Sequence, residues 1–334
     1  MSTQRVLSGM RPTGKLHLGH YHGALRNWLS LQEEYDCYFF VADWHALTSD
    51  YAQTLEIGQS TYEMVLDWLS LGLDPQKSTI FLQSSIQDHA ELHLLLSMVT
   101  PLSWLERNPT YKEQLQEITG KDLYTYGFLG YPVLQAADIL MYKAEKVPVG
   151  ADQVPHLELS REIARRFNNF YGPIFPEPQA ILTEDPRIPG TDGRKMSKSY
   201  NNAIFLSDPP EVIEKKLLPM ITDPARKTRY DPGNPELCPV FSIDKLYQTQ
   251  ETLAYIDKNC RTAGFGCIDC KRLLISRIAE DLEPFWKRRA VLEKDPTVVK
   301  DVLEVGSRKA RSFAEQTMAG VRKAVGLLRW MDIK

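Results

Sequence analysis

Short apolar runs alternate with longer amphipathic segments through the first part of the chain. The apolar runs are rich in β-branched and aromatic residues and occupy positions 5–8, 37–43 and 77–83. Between and after them, apolar residues recur at helical spacing at positions 24–32, 54–71 and 88–99. Strands that alternate with helices of this length predict an α/β fold with a doubly wound parallel sheet. Ligands bind such sheets beyond the carboxyl ends of the strands.

An acidic residue interrupts an apolar face in the middle of the chain. In segment 130–143, residues Tyr131, Leu134, Asp138 and Met141 recur at helical spacing, which places Asp138 on a mainly apolar face. A carboxylate there is costly unless it is paired or binds a ligand. An N-cap, an exposed face and an internal ion pair are the alternatives that the sequence leaves open.

Another strand and helix follow this segment. Positions 146–153 have the pattern of a strand that ends in Gly-Ala-Asp-Gln, and positions 156–167 have that of a helix. Gly150 permits a ligand to approach the backbone closely. Asp152 is placed to accept hydrogen bonds from a ribose hydroxyl.

Length and composition are those of an ordinary globular protein. The chain has 334 residues, of which 43% are hydrophobic and 25% charged, so it can form two domains. No apolar run approaches membrane-spanning length and no signal segment is evident, so we expect a cytoplasmic protein without a membrane partner. Segment 307–330, with apolar Phe313, Val321 and Leu328, predicts a last helix that packs on the body of the protein.

Charge is distributed unevenly along the chain. The net charge is −3, but positions 238–334 carry 18 Lys and Arg against 13 Asp and Glu, a balance of +5, and the first 237 residues balance at −8. A basic terminal region on an acidic body points to a polyanionic partner. Solvated, charged helix faces explain the same imbalance equally well.

The most informative stretch lies between the first strand and the first helix. Positions 8–23 have the sequence SGMRPTGKLHLGHYHG, with His17-Leu18-Gly19-His20 at the centre. A strand that turns through Pro, Gly and His into a helix start directs free backbone N–H groups and imidazole donors at one point. The expected ligand is therefore an anion, and a nucleotide phosphate suits it best.

A second motif, Lys195-Met196-Ser197-Lys198-Ser199, follows a glycine-containing turn. Two lysines three residues apart on a mobile loop suit the charge that builds on a triphosphate as its pyrophosphate leaves. Alone, such a loop is usually a solvated surface turn. Together with His-Leu-Gly-His, it indicates a site for a nucleotide triphosphate.

Four of the five cysteines fall within 33 residues, and Cys238, Cys260, Cys267 and Cys270 are separated by 21, 6 and 2 residues. Cytosolic proteins rarely use cysteines in disulfides, and two thiolates on one turn are typical of metal centres. Zinc usually takes two Cys-x2-Cys pairs, whereas a four-iron four-sulfur (4Fe–4S) cluster tolerates irregular spacing. We expect such a cluster, with zinc and no metal as the alternatives, and we assign the remaining Cys37 to the core.

The two motifs resemble the signatures of class I aminoacyl-tRNA synthetases. The segments YPVLQAADIL, VPVGADQ and HLELSREIARRFN resemble, more narrowly, tryptophanyl-tRNA synthetases of the bacterial type. The resemblance runs in chain order from Val6 to about Arg229 and continues more loosely to the C-terminus. Some members of this family carry a 4Fe–4S cluster in the anticodon domain, and the cysteine pattern is similar to theirs.

The resemblance implies a Rossmann-like parallel-sheet catalytic domain over residues 1–200 and a mainly helical anticodon-binding domain over residues 201–334. It also implies a homodimer whose partner is tRNA(Trp). The implied activity is that of a tryptophan–tRNA ligase, which uses ATP and Mg²⁺ to form tryptophanyl adenylate and pyrophosphate. Three other functions are kept as alternatives: a tyrosyl-tRNA synthetase, a small nucleotidyltransferase, and a redox-sensing RNA-binding protein with a vestigial synthetase domain.

The family's functional residues transfer to matching positions. The catalytic set would be His17, His20, Lys195 and Lys198. The ATP-binding set would be Arg11, Pro12, Thr13, Gly19, His20, Gly150, Ala151, Asp152, Ile188, Lys195, Met196, Ser197, Lys198 and Ser199, with a further phosphate contact from Lys112. The tryptophan pocket would comprise Asp138, Tyr131, Gln135, His45 and Gln153, with Asp138 accepting the indole N–H. Arg11 and Gln135 depart from the commonest family pattern, which has Gln and Met there, and we interpret His89 and His93 as structural.

Overall fold

The computed structural model describes residues 4–117, 121–182 and 187–327. Its strands are β1 (Arg5–Met10), β2 (Asp36–Val41), β3 (Ser78–Leu82), β4 (Lys146–Val149) and β5 (Gln179–Leu182). They form one parallel sheet in the order β3-β2-β1-β4-β5. The chain reverses its direction of winding at β1, between β2 and β4, which is the switch point where such sheets bind ligands. The predicted Rossmann-like α/β fold is confirmed.

Helices connect the strands and cover both faces of the sheet. They are α1 (Leu18–His20), α2 (Arg26–Leu31), α3 (Asp43–Asp50), α4 (Ile57–Leu71), α5 (Asp88–Val99), α6 (Leu102–Glu106), α7 (Pro109–Glu117), α8 (Tyr126–Met141) and α9 (Val154–Tyr171). A π-helical turn, Tyr21–Leu25, joins α1 and α2 into one continuous helix.

Local caps shift several predicted boundaries. The first helix begins at Leu18 rather than at position 24, because the His17 side chain caps its first turn. Helix α8 begins before the predicted position 130, because Thr125 is its N-cap. The strand predicted over 146–153 ends at Val149, and a 3-10 turn leads from there into α9.

The last third of the described chain is helical. It contains α10 (Pro210–Leu217), α11 (Pro239–Tyr247), α12 (Gln250–Arg261), α13 (Cys267–Leu292) and α14 (Thr297–Ala324). Helix α13 packs on α4, and α10 and α11 pack on α13. Leu328, which the helical spacing placed in the last helix, lies outside the described residues. Among the described helices, none has the length and apolar character needed to cross a membrane.

The sheet separates two apolar cores, because neighbouring residues of a strand point to opposite faces. Phe39 and Trp68 belong to a core that continues among α10, α11 and α13. Phe40 and Phe81 belong to the core formed with α5, α8, α9 and α14. The helical region therefore shares a core with one face of the sheet.

Helix α14 covers the free edge of β3. Ser307 accepts a 3.3 Å hydrogen bond from the backbone N–H of Leu82, a group that an edge strand would otherwise leave exposed. Gly306 makes this close approach possible, because a Cβ atom there would lie 1.8 Å from the carbonyl oxygen of Ile80. The edge of the sheet is thus protected by the chain's own last helix.

Candidate active site

A cavity of about 360 Å³ lies at the carboxyl ends of β1 and β4, at the switch point of the sheet. All five residues predicted to bind tryptophan line it, namely His45, Tyr131, Gln135, Asp138 and Gln153. Arg11 and Gly150, which were predicted to bind ATP, line it as well, together with His156. The cavity therefore joins the amino-acid set to part of the nucleotide set.

Asp138 lies at the wall of this cavity and is 1% exposed. Its Oδ2 is 2.8 Å from His45 Nε2, its Oδ1 is 2.6 Å from His89 Nδ1, and Gln83 Nε2 reaches both oxygens at 2.8 and 3.0 Å. Burial by itself raises the pKa of Asp138, but the hydrogen bonds from the two histidines lower it to about 2. Asp138 is thus an anion at neutral pH, and because a carboxylate only accepts, all three partners donate.

Gln83 was not among the predicted site residues. It is fully buried, and its Oε1 accepts the backbone N–H of Trp44 at 3.2 Å. This contact turns the amide nitrogen of Gln83 toward Asp138. Nothing in the local sequence indicates that Gln83 binds Asp138, because Gln83, Trp44 and Asp138 come from separate elements.

His89, interpreted from the sequence as structural, is the second partner that was not foreseen. It is fully buried, and its Nε2 lies 2.7 Å from the hydroxyl of Tyr142 while its Nδ1 faces Asp138. A signal for this role was available, since His89 shares the buried stripe of α5 with Leu92 and Leu96. A histidine on such a stripe requires internal hydrogen-bond partners.

His17 is the N-cap of α1. Its Nδ1 accepts the N–H of Gly19 at 3.0 Å, and its own backbone N–H donates to His20 Nδ1 at 3.2 Å. The N–H of Leu18 donates to the carbonyl oxygen of Ile204 at 3.0 Å. The prediction that free backbone N–H groups point at an anion here is therefore wrong for these residues, because other acceptors in the protein already bind them.

The same contacts leave both imidazoles of the motif as neutral donors. Burial, reinforced by the charges of Lys198 and Lys195, lowers the pKa of His17 to about 4. Burial also lowers the pKa of His20 well below its ordinary value. Because both Nδ1 atoms accept, each neutral ring carries its hydrogen on Nε2. The two rings, with centroids 3.9 Å apart, can therefore each offer an N–H to a phosphate.

The lysine loop reaches the first motif through Lys198. Its ammonium donates to the carbonyl oxygen of Thr13 and, at 3.3 Å, to the Thr13 hydroxyl. Burial, together with the positive charge of Arg11, lowers the pKa of Lys198 to about 8. Lys195 is exposed. Both lysines lower the pKa of His17, so the fold brings the two motifs together.

Asn202 holds the lysine loop in shape. It is buried, its Oδ1 accepts the N–H of Ser197 at 2.8 Å, and its Nδ2 donates to Asp192 Oδ1 at 2.7 Å and to the carbonyl of Lys195 at 3.2 Å. A Cβ at Gly190 would lie 2.2 Å from the Asn202 side chain, so this packing requires glycine. Asn202 lies three residues after the motif, and nothing in the sequence pattern indicates this role.

The remaining residues assigned to ATP are partly buried and partly exposed. Pro12 and Thr13 border a neighbouring cavity. Met196 is buried, and its N–H donates to the carbonyl of Ile188 at 2.9 Å. The exposed residues of the set are Ala151, Asp152 and Ser199, and Lys112 is exposed on α7.

The four clustered cysteines lie among three consecutive helices. Cys238 is the N-cap of α11, Cys260 is near the end of α12, and Cys267 and Cys270 are in the first turn of α13. Within residues 4–117, 121–182 and 187–327, no group of three or more His, Cys, Asp or Glu side chains is arranged to hold a metal ion. The structure therefore does not show the predicted metal centre.

The cysteine thiols nevertheless influence one another. Burial raises the pKa of Cys260, and Cys238 and Cys267 raise it further while Arg226 lowers it. Burial and the nearby carboxyl of Asp244 raise the pKa of Cys270. These effects identify a shared, partly buried environment for the thiols.

The chain matches the family described as tRNA synthetases class I (W and Y) over residues 2–283. It is 54% identical to the tryptophan–tRNA ligase of Thermotoga maritima, with 97% of this chain and 99% of that one covered. It is 50% identical to the tryptophan–tRNA ligase of Aquifex aeolicus, with 97% and 100% covered.

Among solved structures, the tryptophanyl-tRNA synthetase of Campylobacter jejuni in complex with ADP and tryptophan is similar, with a TM-score of 0.86. It is 35% identical to this chain, and the similarity covers 97% of this chain and 100% of that one. The chain therefore belongs to the class I tRNA synthetases for tryptophan and tyrosine, and within them to the bacterial-type tryptophan–tRNA ligases.

Proposed function

We propose that this chain activates L-tryptophan in the cavity at the switch point and transfers it to tRNA(Trp). The observation that carries the proposal is the ionised, buried carboxylate of Asp138 at the cavity wall. An indole nitrogen can only donate a hydrogen bond, and an ionised carboxylate can only accept one. A cavity of about 360 Å³ is also of a size that suits a ligand such as tryptophan.

The indole N–H would meet Asp138 at Oδ2, beside His45. Of the three donors to Asp138, Gln83 and His89 are fully buried behind it, whereas His45 lines the cavity. Phenylalanine would cover the carboxylate without pairing with it, which costs about 1–3 kcal/mol. In the proposed complex, Tyr131, Gln135 and Gln153 bind the rest of the amino acid.

ATP would bind between the two motifs. The tryptophan carboxylate attacks the α-phosphate, and no protein residue forms a covalent intermediate, so catalysis consists of positioning and charge neutralisation. His17 and His20 donate Nε2–H groups to the phosphates, and Lys195 and Lys198 follow the leaving pyrophosphate. The rest of the proposed nucleotide set is Arg11, Pro12, Thr13, Gly19, Gly150, Ala151, Asp152, Ile188, Met196, Ser197 and Ser199.

Mg²⁺ fits this arrangement as a companion of the nucleotide. The groups assigned to the phosphates are lysines and neutral imidazole donors, none of which is a Mg²⁺ ligand of the kind that proteins use. The phosphates themselves would therefore hold the ion. When bound, it would neutralise part of the charge on the leaving pyrophosphate.

We also propose that Cys238, Cys260, Cys267 and Cys270 hold a 4Fe–4S cluster, with zinc as the alternative. Their shared environment supports this, and so do two cations beside them. Arg226 Nη1 is 3.8 Å from Cys260 Sγ, and the thiols act on the pKa of the buried Lys271. Positive charge of this kind offsets the charge of thiolates bound to a metal. The test is iron and zinc content after anaerobic purification: Cys267→Ser should lose the metal and Cys37→Ser should retain it.

The helical region from residue 201 onward is proposed to read the anticodon. Its supporting feature is the balance of +5 over positions 238–334, because RNA is a polyanion. By analogy with the family, the enzyme would act as a cytoplasmic homodimer. Sedimentation of the purified protein tests the dimer. Footprinting of tRNA(Trp) with the wild-type protein, compared with a variant in which lysines of the helical region are replaced, tests the RNA contact.

Exchange of labelled pyrophosphate into ATP, measured with each of the twenty amino acids, tests the activity. Stimulation by tryptophan alone supports the proposal. Stimulation by tyrosine instead would keep the fold class and overturn the pocket assignment. If no amino acid stimulates exchange, with or without tRNA(Trp), the redox-sensing RNA-binding alternative gains support over the enzyme.

A further inference from the structure

A hydrogen-bonded series of buried polar side chains runs from the start of α7 to the cavity. Its members are Asn108, His156 and Tyr131, which are 5%, 1% and 8% exposed. Tyr131 Oη lies 2.9 Å from His156 Nε2, and His156 Nδ1 lies 3.2 Å from Asn108 Nδ2. Tyr131 and His156 line the cavity, whereas Asn108 lies behind them.

The direction of the hydrogen bonds in this series is set at Asn108. Its Oδ1 accepts the backbone N–H groups of Thr110 at 3.0 Å and Tyr111 at 3.4 Å, the first two that α7 offers after Pro109. An amide whose oxygen is fixed in this way can present only its NH2 group to His156. His156 Nδ1 is therefore a hydrogen-bond acceptor.

The neutral state of His156 carries the direction onward. Burial lowers the pKa of His156 to about 4, so the ring is uncharged at neutral pH. A neutral ring that accepts at Nδ1 has its hydrogen on Nε2, and this N–H donates to the oxygen of Tyr131. Burial also raises the pKa of Tyr131, so the phenol keeps its own hydrogen. That hydrogen must then point away from His156, into the cavity.

We infer that Asn108 and His156 are positioning residues that fix the direction of the Tyr131 hydroxyl toward the bound amino acid. The inference rests on the proposed function, because it takes the cavity to be the amino-acid pocket. A hydroxyl held in this way presents one donor and one free lone pair to the cavity. It can therefore meet both the carboxylate and the ammonium group of a zwitterion.

Few titratable groups shift the pKa of His156 or Tyr131 in this series. His45 lowers and Asp152 raises the pKa of His156, both by less than burial does. Arg11 and Tyr111 act on Tyr131. None of these groups takes the place of Asn108, His156 or Tyr131 in the two hydrogen bonds that join them.

The imidazole nitrogen shifts of the enzyme labelled with ¹⁵N-histidine test the direction without any assay of activity. The chain has seven histidines, and His156→Gln identifies the resonances of His156. The inference requires Nε2 protonated and Nδ1 unprotonated at neutral pH. The opposite tautomer, or a charged ring, would overturn it. This result does not depend on which amino acid the enzyme activates, so it is separable from a failure of the proposed function.

Kinetics of pyrophosphate exchange test the positioning role. We expect His156→Leu to raise KM for tryptophan about fivefold to tenfold, the effect of one lost hydrogen bond, with little change in kcat or in KM for ATP. Gln at this position can still donate a hydrogen bond, so His156→Gln should recover most of the loss. Equal defects in the two variants would show that the role is structural only.

Asn108→Asp tests the source of the direction. The carboxylate still accepts the N–H groups of α7, but it now demands a hydrogen on His156 Nδ1. When the ring is neutral, Nε2 must then accept a hydrogen bond from the Tyr131 hydroxyl, which reverses the direction of the hydrogen bonds in the series. KM for tryptophan should therefore rise with pH in this variant over about pH 6–9, and not in the wild-type enzyme or in Asn108→Ala. A flat profile in Asn108→Asp would contradict the inference.

Discussion

Backbone N–H groups decide which atoms of the site donate hydrogen bonds. The N–H of Trp44 orients the Gln83 amide toward Asp138, and the N–H of Gly19 fixes the tautomer of His17. Each contact converts an ambiguous side chain into one with a single direction. The polarity of the site is therefore a consequence of local backbone geometry as much as of residue type.

Replacing Asp138 by Asn removes the anion while keeping its size. We expect Asp138→Asn to raise KM for tryptophan by the equivalent of about 1–3 kcal/mol, because an amide is a weaker acceptor and must place an NH2 group against the donors of His89 and Gln83. KM for ATP should change little, which serves as the internal control. Unchanged KM for tryptophan in steady-state pyrophosphate exchange would remove Asp138 from the pocket.

The charge of Lys198 predicts the alkaline limb of activity. Its pKa is lowered to about 8, so the free enzyme loses this cation as pH rises through 8, earlier than for an ordinary lysine. We expect kcat/KM for ATP to fall by up to about tenfold per pH unit above that point. Lys198→Arg should keep the charge, since arginine is not deprotonated in this range, and should remove the limb even if its activity is lower. Identical limbs in both enzymes would contradict the assignment.

The predicted pocket set came from motifs, and every member lines one cavity. Of the three hydrogen-bond partners of Asp138, His45 belongs to the predicted pocket set, whereas Gln83 and His89 do not. Gln83 follows β3 and His89 lies in α5, and neither belongs to a recognisable motif. Sequence patterns report which residue must be paired, because a buried charge is costly, but the identity of the partner depends on tertiary packing.

At the scale of the elements, the contact between α14 and β3 depends on one glycine. We expect Gly306→Ala to lower the free energy of unfolding by about 1–3 kcal/mol, because the added methyl group would meet backbone at Ile80 and the helix would have to move. Urea denaturation followed by circular dichroism measures the change.

The matched control lies in the same helix. A Cβ at Gly320 would meet nothing within 4 Å, so Gly320→Ala should be neutral or should stabilise α14 by about 0.5–1 kcal/mol. Equal effects of the two substitutions would mean that the close approach at Ile80 does not matter for stability.

Periodicity predicted strands β1 to β4 and the longer helices between them, but it missed β5, α3, α6 and α7, and most of the predicted ends were shifted. Helix α5 has the predicted bounds of Asp88–Val99, because both its apolar stripe and its flanking polar residues are local features. The first helix begins early because an imidazole caps it, and imidazole is not among the side chains usually expected at an N-cap. The pairing of α14 with β3 joins positions more than two hundred residues apart, beyond the reach of any periodicity.

At the scale of the whole molecule, arginines of the helical region bind the sheet region at several points. Arg288 donates to the carbonyls of Ser70 and Leu71 at 2.5 and 3.2 Å, which satisfies the open C-terminal end of α4. Arg322, near the end of α14, pairs with Asp88 at 3.1 Å. These contacts add charge-assisted hydrogen bonds to the shared apolar core.

The most buried of these links joins Arg289 of α13 to Asp67 of α4, whose side chain is 3% exposed. Arg289→Met should lower the free energy of unfolding by about 3–5 kcal/mol, because it leaves a buried carboxylate without its partner. Burial already raises the pKa of Asp67 to about 7, against the effect of Arg289, whereas an aspartate in the unfolded chain has a pKa of about 3.9. In the variant, the folded state therefore keeps a proton on Asp67 at pH values where the unfolded state has lost it. The free energy of unfolding consequently falls as pH rises.

The loss caused by Arg289→Met should accordingly be larger at pH 8 than at pH 5.5 in urea titrations. Replacing both members, as Asp67→Leu with Arg289→Met, removes the buried charge and should restore most of the stability, since an apolar pair can replace a buried ion pair without loss. The double variant should also lose the pH dependence that the single variant shows. A single variant whose loss is the same at both pH values would mean that water reaches Asp67 when Arg289 is gone, and that the link between the two regions is looser than its burial indicates.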